Sequence, residues 1–341
     1  MFDFIPSYVF LLVFGLILLI KGGDWFVDAA SGIAKRFKLP EILIGATVVS
    51  IGTTLPEVMT SAMDAAGGKG EVAYGNAIGS IICNTALIAA ITIAIKPAKA
   101  NKKTLIFPVC FFFGAAALYA FCAYAFGKFD LWMGITLLCG FVVYMIINVI
   151  NMKKSPDEDE SHEEEEKLDT PELPEKNSAF GLVKDIVMLI VSAAVIAVGA
   201  YLLVENATII ANEIGVPEAV IGLTIVALGT SLPELVTAIT ALMKGHGALS
   251  LGNIIGANVF NLVLVSGAAI TINPFSIPQD SKFFGQLSSL VLDIPVVFLV
   301  MGILTIPTII RGKLSRWQGI VMLVIYVAYV VLQTFFVKTV A

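Results

Sequence analysis

Two acidic residues in apolar surroundings define the chemistry open to this chain. Glu57 closes the segment Gly52-Thr53-Thr54-Leu55-Pro56-Glu57, and Glu234 closes Gly229-Thr230-Ser231-Leu232-Pro233-Glu234. A proline inside a helix has no N–H for the carbonyl four residues earlier, so Pro56 frees the Gly52 carbonyl and Pro233 that of Gly229. Thr53 and Glu57 are four residues apart and share a helix face, as do Thr230 and Glu234. Each turn therefore presents carbonyl, hydroxyl and carboxylate oxygens together. Ser80 and Asn84 repeat the spacing in neutral form, and Ala257 and Asn261 hold the equivalent places. The glycine steps before them, Gly75 and Gly79 or Gly252 and Gly256, let helix backbones approach closely.

An acid at the centre of a membrane helix costs on the order of 3 kcal/mol. Two of them approach the net stability of a whole protein, about 5–15 kcal/mol, and need compensation. A hard cation with oxygen ligands supplies it: Ca²⁺ takes about 6–8 oxygens, and two carboxylates match its charge. Softer metals favour His or Cys, and neither His162 nor His246 falls in these segments. The competing reading pairs each glutamate with a base. Lys21 is the only basic residue at depth, and with Asp24 three residues on it is expected to be satisfied locally or to reach the interface. The equivalents of that pair, Val198 and Tyr201, carry no charge, so it lies outside the duplicated device. Thr47 and Thr224 read as hydroxyls bonded back to the preceding turn. Gly68-Lys69-Gly70 and Gly245-His246-Gly247 read as turns.

The elements that position these groups follow from an internal repeat. Shifting the chain by 177 positions aligns Pro40–Asn84 with Pro217–Asn261 without a gap, and nineteen of the 45 pairs are identical. The identities are mostly Gly, Pro, Thr, Asn and Glu, among them Asn76 with Asn253, so duplication rather than shared apolar composition explains them. Apolar runs able to cross a core of about 30 Å number ten. Five lie at 7–33, 42–66, 72–95, 104–126 and 131–150; five more at 181–211, 219–243, 248–271, 286–307 and 317–337. They lack period-2 alternation and are too long for barrel strands. The expected fold is an all-α polytopic membrane protein: a five-helix repeat over 1–151, an acidic loop over 152–180 and a second five-helix repeat over 181–341. An odd number of spans per half inverts the second repeat, the arrangement of secondary transporters with a midplane site.

Composition agrees with this reading. Of 341 residues 58% are hydrophobic and 14% charged, with mean hydropathy +0.93, which excludes a compact soluble domain and a disordered chain alike. Residues 155–176 hold eleven acids and two lysines; the remainder carries 19 bases and 15 acids. That acidic segment repels itself and reads as a solvated linker. Bases scattered singly or in short groups leave no nucleic-acid footprint. Lys35, Arg36 and Lys38, then Lys96, Lys99, Lys102 and Lys103, then Lys153 and Lys154, then Arg311, Lys313 and Arg316 collect on one side of the spans. The positive-inside rule puts that side and the acidic loop in the cytoplasm, and both termini outside a cell (inner or plasma) membrane. Residues 7–20 read as a retained span, because no basic region precedes them and no cleavage site follows. Cys83, Cys110, Cys122 and Cys139 lack paired spacing and read as small core hydrophobes.

The motif pairs GTTLPE with GNAIGSIICN, and GTSLPE with GNIIGANVFN, resemble the two α-repeats of the sodium/calcium exchanger family within the cation/Ca²⁺ antiporters. The resemblance is strongest over 40–90 and 217–267. It implies a secondary antiporter, not an enzyme, that exchanges Ca²⁺ for Na⁺ by alternating access, with the lipid bilayer as its surroundings, no cofactor, and a monomer as the working unit. The ligand set it implies is Glu57, Glu234, Thr53, Thr54, Thr230, Ser231, Ser80, Asn84 and Asn261, with the backbone oxygens of Ser50 and Ala227. Ala257 stands where the family often has serine, which implies a weaker or missing Na⁺ ligand. Asn261 stands where the K⁺-dependent branch carries an acid, which argues against K⁺ co-transport. Proton-coupled relatives typically carry an acid after the GN pair, where Ala77-Ile78-Gly79-Ser80 follows here. H⁺/Ca²⁺ exchange and K⁺-dependent Na⁺/Ca²⁺ exchange stay open as alternatives, and a cation channel more remotely. Channels form around an axis between subunits, whereas this inverted pair encloses its polar groups in one chain. An intramembrane enzyme would need divided acid and base roles, and two equivalent glutamates do not suggest them.

Overall fold

The computed structural model describes residues 5–97, 100–154, 179–213, 227–279 and 281–339. The acidic segment 155–176 and Thr224 lie outside the described residues. Ten helices are described: α1 (Ile5–Arg36), α2 (Glu41–Ala66), α3 (Gly70–Ile95), α4 (Lys102–Phe126), α5 (Leu131–Lys154), α6 (Ala179–Glu213), α7 (Leu232–Met243), α8 (Gly247–Ile272), α9 (Ser289–Arg311) and α10 (Arg316–Phe335). Nine are long and apolar enough to span a membrane. The seventh expected span is described only from Ala227, as a turn of helix Ala227–Thr230, a break at Ser231 and then α7, 12 residues long. Local chemistry marks the helix ends. Asn101 caps α4 by accepting the Lys103 N–H at 3.0 Å, and Gly127, at φ 64°, ends it. A reciprocal Ser315–Gln318 box opens α10.

Burial separates a core from a shell. Of their apolar stretches 83% is buried in α8, 72% in α3 and 61% in α2, against 28% in α1 and 22% in α6. Helices α1 and α6 pack antiparallel: Arg36 lies beside Asp185, while Gly15 lies beside Gly199. A Cβ on either glycine would sit 2.8 Å from the carbonyl oxygen of the other, so the two backbones touch. Helices equivalent by the repeat thus run in opposite directions, as the odd number of spans requires. Helices α2 and α8 run parallel, with Gly45 against Leu249, and Gly256 against Ala46 and Ser50.

Short strands tie the loops. β1 (Lys128–Phe129) pairs with β2 (Phe275–Ser276), while β3 (Ser281–Phe283) pairs with β4 (Gln286–Leu287) and β5 (Val337–Thr339). Residues 286 and 287, expected to open the ninth span, are therefore strand.

Two sequence readings need correction. Cys83 and Cys122 are buried, but Cys110 and Cys139 face outward, because α4 and α5 are apolar all round and composition does not distinguish a lipid face from a core face. Asp24 does not pair with Lys21; its carboxylate lies 3.5 Å from Lys244 Nζ, which also donates to the Asp24 carbonyl and to Asp28 Oδ1 at 2.8 Å. Lys21 is exposed. The close approach expected of the glycine steps is described at Gly252 and Gly256. A Cβ on Gly252 would run into the Ile42 carbonyl, whereas nothing described lies within 4 Å of one on Gly75 or Gly79. The positions that the repeat sets opposite those two, 219 to 227, lie almost wholly outside the described residues.

Candidate functional site

The site forms where α2 and α7 meet α3 and α8. Helix α2 passes through Pro56 without breaking, and its irregularity falls earlier, in a π-turn at Gly45–Val49. In the second repeat the chain breaks at Ser231, and Pro233 stands in the first turn of α7, where its missing N–H costs no bond. Further π-turns begin at the duplicated asparagines, over Asn84–Ala89 in α3 and Asn261–Val265 in α8. The turn at Asn84 packs on α7 and that at Asn261 packs on α2, so each half contributes to the other's glutamate helix. Such π-turns often mark functional positions, and spacing alone did not reveal them.

Glu57 and Glu234 are fully buried and within electrostatic reach of each other. Among the described residues neither forms an ion pair, so pairing with a described base does not account for them. The Thr54 hydroxyl donates to Glu234 Oε1 at 3.3 Å, crossing from one repeat to the other. Among the described residues Glu234 Oε2 and both carboxylate oxygens of Glu57 have no hydrogen-bond partner. The same holds for the Ser231 hydroxyl and for both side-chain polar atoms of Asn84 and Asn261. Natural structures satisfy most buried polar atoms. Here the unsatisfied ones concentrate on residues singled out from the repeat. Thr53 donates to Asn253 Oδ1 at 3.3 Å and to the Ser50 carbonyl at 3.5 Å. Ser50 donates to the Gly45 carbonyl at 2.7 Å and to the Asn253 carbonyl at 2.9 Å. Ser80 is buried one turn before Asn84, and Ala257 is buried one turn before Asn261. The turn Ala227–Thr230 packs on α3 and α6, with Thr230 half-buried. Thr47 bonds back to the Leu43 carbonyl at 2.7 Å, as expected of it.

Asn76 and Asn253 join the site as positioning residues. Asn76 Nδ2 donates to the Glu57 carbonyl at 3.3 Å and to Ser61 Oγ at 2.8 Å. Asn253 accepts from Ser50 and Thr53 and donates to Thr237 Oγ1 at 3.0 Å, and Thr237 in turn donates to the Pro233 and Glu234 carbonyls. Their identity across the repeat was the available signal. A role could not be read from it, because the partners lie up to 203 residues away. A narrow cleft reaches Thr53, Pro56 and Pro233 between Phe26 of α1 and Ala193 and Ile196 of α6. Gly52 permits it, since a Cβ there would lie 2.9 Å from Phe26 Cζ.

Among the described residues no three His, Cys, Asp or Glu side chains cluster. Two carboxylates among neutral hydroxyl, amide and carbonyl oxygens suit a hard cation, and the single thiol within reach of them, Cys83, falls short of the several sulfur or imidazole ligands a softer metal favours.

Comparison with known proteins agrees with this chemistry. The family model described as "Sodium/calcium exchanger protein" matches residues 7–150 and 184–335. The sodium/calcium exchanger MaX1 of Methanosarcina acetivorans is 32% identical over 346 residues, covering 94% of this chain and 97% of that protein. The inner membrane protein YrbG of Escherichia coli is 33% identical, covering 85% of this chain and 87% of YrbG. Among solved structures, the sodium-calcium exchanger NCX_Mj soaked with 2.5 mM Na⁺ and 10 mM Sr²⁺ superposes with a TM-score of 0.77 at 30% identity, over 95% of this chain and 98% of that one.

Proposed function

Because this chain belongs to the sodium/calcium exchanger protein family, a family of transporters, and is a multi-pass membrane cation/Ca²⁺ antiporter, we propose that it exchanges Ca²⁺ for Na⁺ at the Glu57/Glu234 site. The observation that carries this reading is the set of buried oxygens without a protein partner on Glu57, Glu234, Ser231, Asn84 and Asn261. One dehydrated Ca²⁺ neutralises both carboxylates; a group of Na⁺ ions does so equally, with Thr53, Thr54, Thr230 and Ser80 hydroxyls and the carbonyls of Ser50 and Ala227 completing the ligands. Only an occupied, neutralised pocket crosses between the two access states, and this enforces exchange.

The moving element in this reading is the pair α1 and α6. They touch through Gly15 and Gly199, and they meet α2 and α7 over glycines. At Gly23 a Cβ would lie 2.6 Å from Val236 Cγ1. Smooth contacts of this kind suit sliding, and in this reading the gap beside Phe26 opens to ions as they slide. The two repeats form inverted halves joined by the acidic loop, the protein works as a monomer because one chain encloses the site, and both termini face outward from the cell membrane with the loop cytoplasmic.

The test is ⁴⁵Ca²⁺ counter-transport in proteoliposomes under imposed Na⁺, K⁺ or H⁺ gradients. Uptake driven by Na⁺ alone and abolished by Glu234→Gln is expected. Uptake driven by a pH gradient without Na⁺ would move the chain to the proton-coupled branch, and conductance without a counter-ion would make it a channel.

A further inference from the structure

Among the described residues three acids are buried, Glu57, Glu234 and Asp293. The third stands apart from the site above. An ionisable residue at membrane depth points to function and calls for a partner. Asp293 ends a π-turn, Ser289–Asp293, that opens α9 immediately after β4. Its Oδ1 accepts the Tyr329 hydroxyl at 3.0 Å and Gln333 Nε2, both from α10. Two donors on one oxygen fit an ionised carboxylate. No base pairs with it among the described residues.

Two fully or nearly buried hydroxyls lie beside one another close to this carboxylate, and among the described residues neither bonds to a third group. Ser289 Oγ is at the start of the same π-turn, and Tyr74 Oη comes from α3, within electrostatic reach of Asp293 and beside Ser289. The Tyr74 ring is held by Tyr119 and Phe129, each with its centroid 6.3 Å away, so its hydroxyl is fixed in place. One carboxylate balances one positive charge, and a divalent ion would leave surplus charge in a low-dielectric site. Hydroxyl and carboxylate oxygens are hard donors. We infer that Asp293, Ser289 and Tyr74 form a second cation site, for a single small monovalent alkali ion, distinct from the glutamate pair.

The site has a structural route to the first one without sharing a ligand. Tyr74 precedes by two residues Asn76, whose amide holds the Glu57 carbonyl. An ion that joins α3 to α9 through Tyr74 and Asp293 fixes the turn from which Asn76 reaches α2.

Equilibrium ²²Na⁺ binding to the purified full chain tests this in a Glu57→Gln/Glu234→Gln background, where the glutamate site has lost both charges. One residual bound Na⁺ is expected there. Adding Asp293→Asn should weaken it at least about tenfold, since charge-assisted contacts are roughly twice as strong as neutral ones. Tyr74→Phe, which keeps the ring packing, should weaken it by a smaller factor in the same direction. Monodispersity in gel filtration verifies folding, and if Asp293→Asn fails that check, Tyr74→Phe decides. Absence of residual Na⁺ binding in the double variant, or residual binding indifferent to the Asp293 and Tyr74 substitutions, overturns the inference. Either result leaves the glutamate-site reading to its own transport assay.

Discussion

Replacing Glu57 by glutamine separates a binding role from a structural one, because the two predict opposite signs. Both Glu57 carboxylate oxygens are buried without a protein donor, so in ion-free medium the ionised side chain costs several kcal/mol. Glu57→Gln removes that charge and keeps the shape. Thermal stability without ions is therefore expected to hold or rise. Ion binding should move the other way. A charged oxygen contact is worth about 1.5–3 kcal/mol, so two of them amount to roughly 3–6 kcal/mol, about a hundredfold to ten-thousandfold in affinity at about 1.4 kcal/mol per decade. A saturating ligand at about 100 times Kd stabilises the native protein by about 2.7 kcal/mol, and the variant should lose that Ca²⁺-dependent stabilisation. The assay is a thermal-shift titration with Ca²⁺, read beside Na⁺-driven ⁴⁵Ca²⁺ uptake. A variant that is destabilised in ion-free medium yet keeps a full Ca²⁺ response would refute the argument, since Glu57 would then be a structural residue.

Other substitutions probe the surrounding architecture. Thr54→Val deletes a single 3.3 Å bond to Glu234, and its effect on uptake should be about tenfold at most, the low end for a bond to a charged acceptor. Asn253→Ala removes three side-chain contacts, to Ser50, Thr53 and Thr237, against two lost in Asn76→Ala, so its loss of thermal stability should be the larger; equal losses would remove Asn253 from its central position. Gly256→Ala places a Cβ 2.6 Å from the Ala46 Cα and should cost about 1–3 kcal/mol by overpacking, measured as a lowered Tm. Lys244→Met breaks a bridge from α7 to Asp28 of α1. Stability should change by about 1 kcal/mol or less, as partly exposed pairs do, while the exchange rate changes; an unaltered rate would argue against α1 as a moving element.

What was readable from the residues depended on whether their partners were near in sequence. Pro56 and Glu57, or Pro233 and Glu234, carry their meaning within one turn, and duplication doubled the signal. The ten runs were legible because lipid demands length and apolarity, which composition records directly. Lys244 was not legible, because a local i, i+3 partner for Asp24 existed in Lys21 and only the packing of α1 on α7 favours the distant one. The π-turns at Asn84 and Asn261 add one residue to a turn without altering its composition. Asp293 sits in a run that satisfies every criterion for a span, so its donors on α10 became visible only when α9 and α10 were set side by side.

The repeat also shows where symmetry was given up. Ser50, Ser61 and Ser80 of the first half correspond to Ala227, Ala238 and Ala257 of the second. Two of the three serines have defined work: Ser50 bonds across to Asn253, and Ser61 receives Asn76. On the second side Thr237, one residue before Ala238, receives Asn253 in the place of a serine. Scaffold hydroxyls have thus been exchanged between halves while the glutamates, the prolines and the asparagines stayed fixed. Ser80 against Ala257 has no such substitute, since in the proposed site only one of the two offers an oxygen. The lost hydroxyl falls on a neutral ligand, which matters more to Na⁺, whose binding relies on several such oxygens, than to Ca²⁺, which draws on both carboxylates. Ala257→Ser should therefore strengthen Na⁺ competition against ⁴⁵Ca²⁺ uptake and leave the Ca²⁺ dependence in Na⁺-free medium nearly unchanged. A shift in Ca²⁺ dependence alone would assign position 257 to the divalent ion instead.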